Sequence, residues 1–264
     1  MRTSYTTSSD KIELRKAPAM LLELLGGNAS ANTLLQLVLA IPCIIIALSF
    51  HEAAHGYAAY KMGDPTARNL GRLTLNPIKH LDLIGTLCML VVGYGWAKPV
   101  PINTRYFKNQ KKGTALTALA GPITNLALGI IGVLLYRLTL LFVFNTEIMA
   151  DTLSNETKQN LVTAVILLLN TFSIYNFSFA IFNLIPIPPF DGSRVLFAFL
   201  PDRYYFGIMK YERYIMIALL VFMTAGPGFS IGSIVRYLLV GINSLIDLIP
   251  FMRVISHART NIQA

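Results

Sequence analysis

Long and nearly uncharged apolar segments follow one another along most of this chain and limit the folds that it can adopt. The first segment, residues 34–50, reads LLQLVLAIPCIIIALSF, and comparable segments lie near 114–144, 160–187, 212–226 and 229–250. A helix of about 20 apolar residues can cross the hydrocarbon core of a bilayer. Only 13% of the 264 residues are charged, about half the share found in soluble domains. The sequence therefore predicts an all-α polytopic membrane protein.

The predicted architecture is one bundle of about five to six transmembrane helices, formed by residues 34–250. Residues 1–33 are expected to form a separate N-terminal segment that could lie at the membrane interface, and residues 251–264 a polar C-terminal tail. The apolar stretch 81–95 contains three glycines and is too short to cross. It is predicted to form a re-entrant loop or hairpin after the first span. Pro42 should kink the first span without ending it.

The distribution of positive charge predicts how the bundle is oriented. The loops 61–80, 98–112 and 194–213 carry four, five and four Lys or Arg residues, whereas 147–158 carries one basic and three acidic residues. The positive-inside rule places the three basic loops in the cytoplasm and the acidic loop outside. The amino terminus is then expected outside, although the four basic residues in segment 1–33 are unfavourable for an exported tail.

The net charge of +9 does not indicate a nucleic-acid-binding protein. The basic residues lie in short loops between apolar segments, and no basic helix with interleaved aromatic residues is present. Cys43 and Cys88 both lie in apolar stretches, without the close spacing of a thiolate zinc site or a disulfide framework. Residues 1–16 are polar and charged, so no cleavable signal peptide is expected at the start.

The sequence HEAAH at residues 51–55 directly follows the first apolar segment. Positions four apart lie on one face of a helix, so His51 and His55 can bind the same zinc ion. Zinc acidifies a water molecule, and the adjacent Glu52 can accept its proton. Chance would produce this pattern in about one such chain per thousand. After 17 apolar residues, or about 25 Å of helix, the motif is expected within the membrane, towards the cytoplasmic side.

A catalytic zinc ion needs a third protein ligand and leaves one position for water. Asp191 is the leading candidate because it ends NLIPIPPFDG (183–192), where three prolines exclude a regular helix as an apolar span ends. Non-helical backbone at membrane depth is tolerated where it lines a cavity or site. Asp191 could instead cap a following helix. The remaining candidates are the other acids and histidines near the membrane, namely Asp64, His80, Asp82 and Asp247.

Several motifs together resemble the site-2 protease family of intramembrane zinc metalloproteases. They are HEAAH at 51–55, AGPITN at 120–125 and NLIPIPPFDG at 183–192. GRLTLNPIKHLDLIGT at 71–86 is similar to a further signature of a bacterial and archaeal branch. Leu83 and Ser193 depart from that branch, which usually has Pro and Gly there, but neither position should bind metal.

This resemblance implies that Asp191, in the Asp-Gly dipeptide, is the third ligand of one zinc ion per chain. It also implies an endopeptidase that cleaves membrane-spanning, often single-span, substrate proteins in a prokaryotic plasma membrane. His80 is a further candidate residue near the site.

Two asparagines in the apolar segments are candidates for substrate binding or oxyanion stabilisation. Asn125 follows the AGP turn and Asn183 precedes the prolines. Interhelical hydrogen bonding, common for Asn in membranes, is the alternative for both. KPVPI at 98–102 could offer an extended edge to a substrate, although an ordinary loop is also consistent with it.

Two other functions are compatible with a membrane-embedded metal motif. A zinc transporter or channel would need ligands along a path through several spans, whereas the chain has four histidines, two of them in one motif. A catalytically silent binding protein would have no need of Glu52. Both alternatives fit the sequence less well than a metalloprotease.

Overall fold

The computed structural model describes residues 31–85, 96–143, 155–225, 237–242 and 244. Besides short helical pieces at 83–85 and 237–242, these residues contain seven α-helices and two short 3-10 turns. No β-strand occurs in these ranges. The 3-10 turns are Pro77–Lys79 and Thr104–Tyr106. In chain order the helices are α1 (Ala31–Lys61), α2 (Thr66–Asn69), α3 (Gln110–Val143), α4 (Glu156–Asn183), α5 (Asp191–Phe197), α6 (Asp202–Met209) and α7 (Glu212–Ala225).

Three of these helices are long and apolar enough to cross a membrane. They are the Val38–Lys61 part of α1, the whole of α3 and the whole of α4, with mean hydropathies of 1.7, 2.3 and 1.8. α1 continues through Pro42, as predicted. The described residues thus form an all-helical structure, in which three helices could span a membrane by their length and composition.

The remaining predicted membrane segments are described only in part. α7 covers 14 residues of the span expected at 212–226, and most of the span expected at 229–250 lies outside the described residues. The re-entrant hairpin expected at 81–95 also lies mainly outside them, as do segments 1–30 and 251–264. The bundle of five to six spans and its hairpin therefore stay predictions.

Helices α1, α3 and α4 pack against one another, and glycines on α3 allow α4 to approach closely. A Cβ atom at Gly129 would lie 2.6 Å from the Phe177 ring, and one at Gly132 would collide with Ser173. Phe177 is fully buried and packs with Val133 in a small apolar core. Lipid tails are as apolar as such a core, so close packing of small residues is what holds helices together in a bilayer.

The connection from α1 to α3 is held by buried polar groups. Asp64 is fully buried and accepts hydrogen bonds from the backbone amides of Thr66 (2.9 Å) and Asn103 (2.6 Å). His80 is 1% exposed, and its Nε2 donates to the carbonyl of Thr74 at 2.7 Å. These bonds hold the connecting segments against the end of α1 that carries HEAAH.

Candidate metal centre and active site

The two histidines of HEAAH lie one turn apart on α1 and face α3. His51 and His55 are 5% and 7% exposed. Gly121 of α3 packs against both rings, since a Cβ atom there would lie 2.6 Å from His51 Cε1 and from His55 Nε2. The absence of a side chain at Gly121 therefore makes room for the paired imidazoles between the two spans.

Hydrogen bonds determine which nitrogen of each imidazole is free. His55 Nδ1 lies 2.7 Å from the Thr117 carbonyl oxygen, which can only accept, so Nδ1 carries the proton. His51 Nδ1 lies 2.5 Å from Asn125 Oδ1 and donates to it in the same way. The Nε2 atoms of both rings are left with lone pairs, the form in which histidine binds a metal ion.

Asp191 reaches this pair from the segment that follows α4. α4 ends at Asn183, and the proline-rich turn leads to α5, which begins at Asp191 itself after the N-cap residue Phe190. Gly192 packs directly on the Leu184 carbonyl, where a Cβ atom would clash. The Asp191 carboxylate lies against the two histidines, so the side chain does not act as the helix cap that the sequence left open.

The three candidate ligand atoms form a nearly equilateral triangle. His51 Nε2 and His55 Nε2 lie 3.0 Å apart, and Asp191 Oδ2 lies 3.1 Å and 3.2 Å from them. Tetrahedral zinc with bonds of about 2.0–2.2 Å places its ligand atoms about 3.3–3.5 Å apart. The residues thus fit a zinc ion to within a few tenths of an ångström, and this His/His/Asp group could hold a metal.

The chemistry of the three atoms also requires a cation. With both Nδ1 protons committed to acceptors, two imidazole lone pairs and a carboxylate oxygen converge without a hydrogen between them. Only a further proton or a metal ion relieves their repulsion. In the absence of a metal ion, that further proton lies on a histidine Nε2 and is shared with Asp191 Oδ2. Burial alone would raise the pKa of the Asp191 carboxyl, but these hydrogen bonds from the protonated histidines outweigh it and hold this pKa below its usual range. Asp191 is therefore ionised, as a metal ligand must be.

Glu52 follows His51 in the sequence, and its carboxylate contacts the segment that connects α1 to α3. Its Oε2 accepts a 2.8 Å hydrogen bond from the backbone amide of Val100. Glu52 is half-buried and belongs to the same helical turn as His51 and His55. It is thus placed beside the cluster without being part of it.

Asn125 connects the metal ligands to the other spans. It is fully buried, and its Nδ2 donates to the Ala47 carbonyl (3.1 Å) and to Asn176 Oδ1 (2.9 Å). These two acceptors fix the amide so that Oδ1 faces His51. The contacts correspond to the interhelical alternative considered for Asn125, and they add an orienting bond to a candidate ligand. Asn176 is also fully buried and belongs to this hydrogen-bond network, although it lies in no sequence motif.

The other candidate residues lie apart from the cluster. Asn183 donates from Nδ2 to the Phe179 carbonyl within its own helix. His80 and Asp64 hold the connecting segments, and Asp82 accepts from the Gly85 amide. Asp247 lies outside the described residues. In the part of the chain that is described, the His/His/Asp group is the one cluster of this kind.

Comparisons with known proteins agree with this site. A family model described as peptidase family M50 matches residues 39–226. The chain is 39% identical over 188 residues to "Putative zinc metalloprotease YwhC" of Bacillus subtilis (strain 168), covering 70% of this chain and 80% of that protein. It is also similar to proteins named "Putative zinc metalloprotease Rip2". The one from Mycolicibacterium smegmatis is 31% identical over 36% of this chain and 38% of its own length, and the one from Mycobacterium tuberculosis is 25% identical over 71% and 67%. No solved structure matches significantly.

Proposed function

Because the chain belongs to peptidase family M50, we propose that it is a zinc-dependent endopeptidase of the site-2 protease type, which hydrolyses peptide bonds of membrane-spanning proteins within the bilayer. The observation that carries this proposal is the convergence of His51, His55 and Asp191 beside Glu52. His51, His55 and Glu52 belong to α1, a helix that is long and apolar enough to span a membrane.

His51, His55 and Asp191 would hold one zinc ion per chain. When bound, zinc would lower the pKa of a water molecule towards 7 and polarise a carbonyl group. Asn125 and the Thr117 carbonyl orient the two imidazoles for this task through their Nδ1 protons.

Glu52 would act as general base and then as general acid. Its carboxylate accepts a proton from the attacking water and passes it to the amine of the leaving peptide. A helical substrate must unwind locally before this step, since its carbonyls are otherwise hydrogen-bonded within the helix. The substrate contacts predicted for Asn125 and Asn183 remain predictions.

The proposed setting is a prokaryotic plasma membrane, with the active site towards the cytoplasmic side of a bundle of five to six spans. The position of HEAAH near the carboxyl end of α1 supports a site towards the cytoplasmic side. α1 ends at Lys61, only six residues after His55, and the loop that follows is basic. Single-span membrane proteins are the proposed substrates, and the lipid bilayer is the proposed surroundings.

The proposal is tested with the variant Glu52→Gln. The variant should retain about one zinc ion per chain yet fail to cleave, while trapping substrates from membranes of its native host. The trapped single-span proteins are then reconstituted with the wild-type protein in liposomes and their cleavage followed by mass spectrometry. A folded wild-type protein that holds no zinc, or a Glu52→Gln variant that cleaves normally, would contradict the proposal.

A further inference from the structure

The segment 98–103 (KPVPIN), here called the strap, runs past α1 without regular secondary structure. Lys98 and Val100 each precede a proline, which restricts both to extended backbone. Pro99 and Pro101 have no N–H group, so the Val100 amide is the one backbone donor between Lys98 and Ile102. That amide donates to Glu52 Oε2 at 2.8 Å.

The strap is fixed in place at both ends by the buried polar groups of the connecting segments. At its start, the Lys98 amide donates to the His80 carbonyl at 2.8 Å. The Arg72 guanidinium donates to the Lys98 carbonyl at 2.8 Å. At its end, the Asn103 amide donates to the fully buried carboxylate of Asp64 at 2.6 Å. A segment held at both ends presents the Val100 amide in one position.

The side chain of Val100 docks the middle of the strap onto α1. Val100 is 5% exposed. A Cβ atom added at Gly56, one turn after Glu52, would lie 3.1 Å from Val100 Cγ1. The strap thus packs directly against the helix that carries Glu52, with no space for a larger residue between them.

We propose that Val100 is a positioning residue for Glu52, its backbone amide holding one carboxylate oxygen so that the other is left for proton transfer. This inference rests on the proposed function, because it concerns the proposed base. A carboxylate on a helix surface rotates freely about its side-chain bonds, and a charge-assisted bond from a fixed amide selects one orientation. In this proposal His80 and Asp64 anchor the strap and do not bind the metal ion.

The experiment compares two proline substitutions in the same strap. Val100→Pro removes the amide that meets Glu52, whereas Ile102→Pro removes an amide for which the described structure contains no partner. Val100→Pro should lower kcat about 10- to 100-fold, the worth of one hydrogen bond to a charged group. Its KM and zinc content should stay unchanged. Ile102→Pro should stay within about threefold of the wild type on all three measures.

A second pair of variants tests the same idea without proline. Gly56→Ala crowds Val100 and should lower kcat, and adding Val100→Ala, which removes the crowding methyl groups, should restore it. If Val100→Pro does not fold, as judged by its helix content, this pair tests on its own whether Val100 positions Glu52.

Four results would overturn the inference: full kcat in Val100→Pro, equal losses in the two proline variants, a loss confined to KM or to zinc content, or a Gly56→Ala variant that Val100→Ala does not restore. Wild-type protein that cleaves none of the trapped substrates would instead contradict the proposed function. Full kcat in Val100→Pro with an active wild type would contradict this inference alone.

Discussion

Gly121→Ala should abolish tight zinc binding by this chain while leaving the bundle assembled. The added Cβ atom would lie 2.6 Å from His51 Cε1 and His55 Nε2, and 2.7 Å from His51 Nε2. Non-bonded atoms prefer about 3.5–4.0 Å, so the rings or α3 must move by about 1 Å. Metal ligands tolerate errors of about 0.2 Å. We expect zinc affinity to fall by about 100-fold or more, equivalent to about 2.8 kcal/mol.

The matched control for this substitution is Gly129→Ala on the same helix. Its Cβ atom would meet the Phe177 ring at 2.6 Å, an equally close contact at the interface of α3 with α4. Both variants should destabilise the bundle by overpacking, by about 1–3 kcal/mol. Only Gly121→Ala should lose zinc disproportionately.

Zinc affinity is measured by competition with a chromophoric chelator in detergent, and folding by the helix content of the same samples. Equal zinc binding by Gly121→Ala and Gly129→Ala would refute the predicted displacement of the ligands. A loss of zinc only in Gly121→Ala samples that have also lost helix content would refute it too, since that loss would reflect unfolding.

Three further substitutions test which residues bind zinc and which residue orients a ligand. Asn125→Ala should lower zinc affinity about 10- to 100-fold, because His51 loses the acceptor that orients its ring; unchanged affinity in a chelator titration would remove Asn125 from this role. Asp191→Ala should weaken zinc binding strongly, whereas His80→Ala should leave the metal content unchanged. The opposite outcome for this pair would transfer the third-ligand assignment to His80.

The sequence allowed the cluster itself to be predicted, because each part had a local signature. The i, i+4 spacing of His51 and His55 places two imidazoles on one helix face whatever the helix packs against. Asp191 was marked by the prolines before it, which end the span and turn the chain back. The resemblance to the site-2 protease family supplied the pairing of residues that lie 140 positions apart.

The contacts that orient the cluster could not be predicted in this way. Which face of α3 meets the histidines depends on the rotation of α3 about its axis, so the motif AGPITN marked Gly121 without indicating that this glycine packs against the histidines. Asn176 lacked a motif altogether. Val100 did carry a signal, since a residue between two prolines offers a single amide, but its acceptor emerges only when the strap and α1 pack together.

The bonded series His51–Asn125–Asn176 links the three candidate spans of the described residues, from α1 through α3 to α4. In a medium without water, sliding α4 by one turn would move it about 5.4 Å and break the bond between Asn125 and Asn176, which leaves one buried N–H of Asn125 and the buried oxygen of Asn176 without partners. Buried asparagines specify the register of coiled coils in the same manner. Because α4 also leads to Asp191, the depth at which Asn176 sits determines whether that carboxylate arrives level with the histidines. The asparagine pair thus fixes the register of α4 against α3, and this register aligns the end of α4 with the histidines on α1.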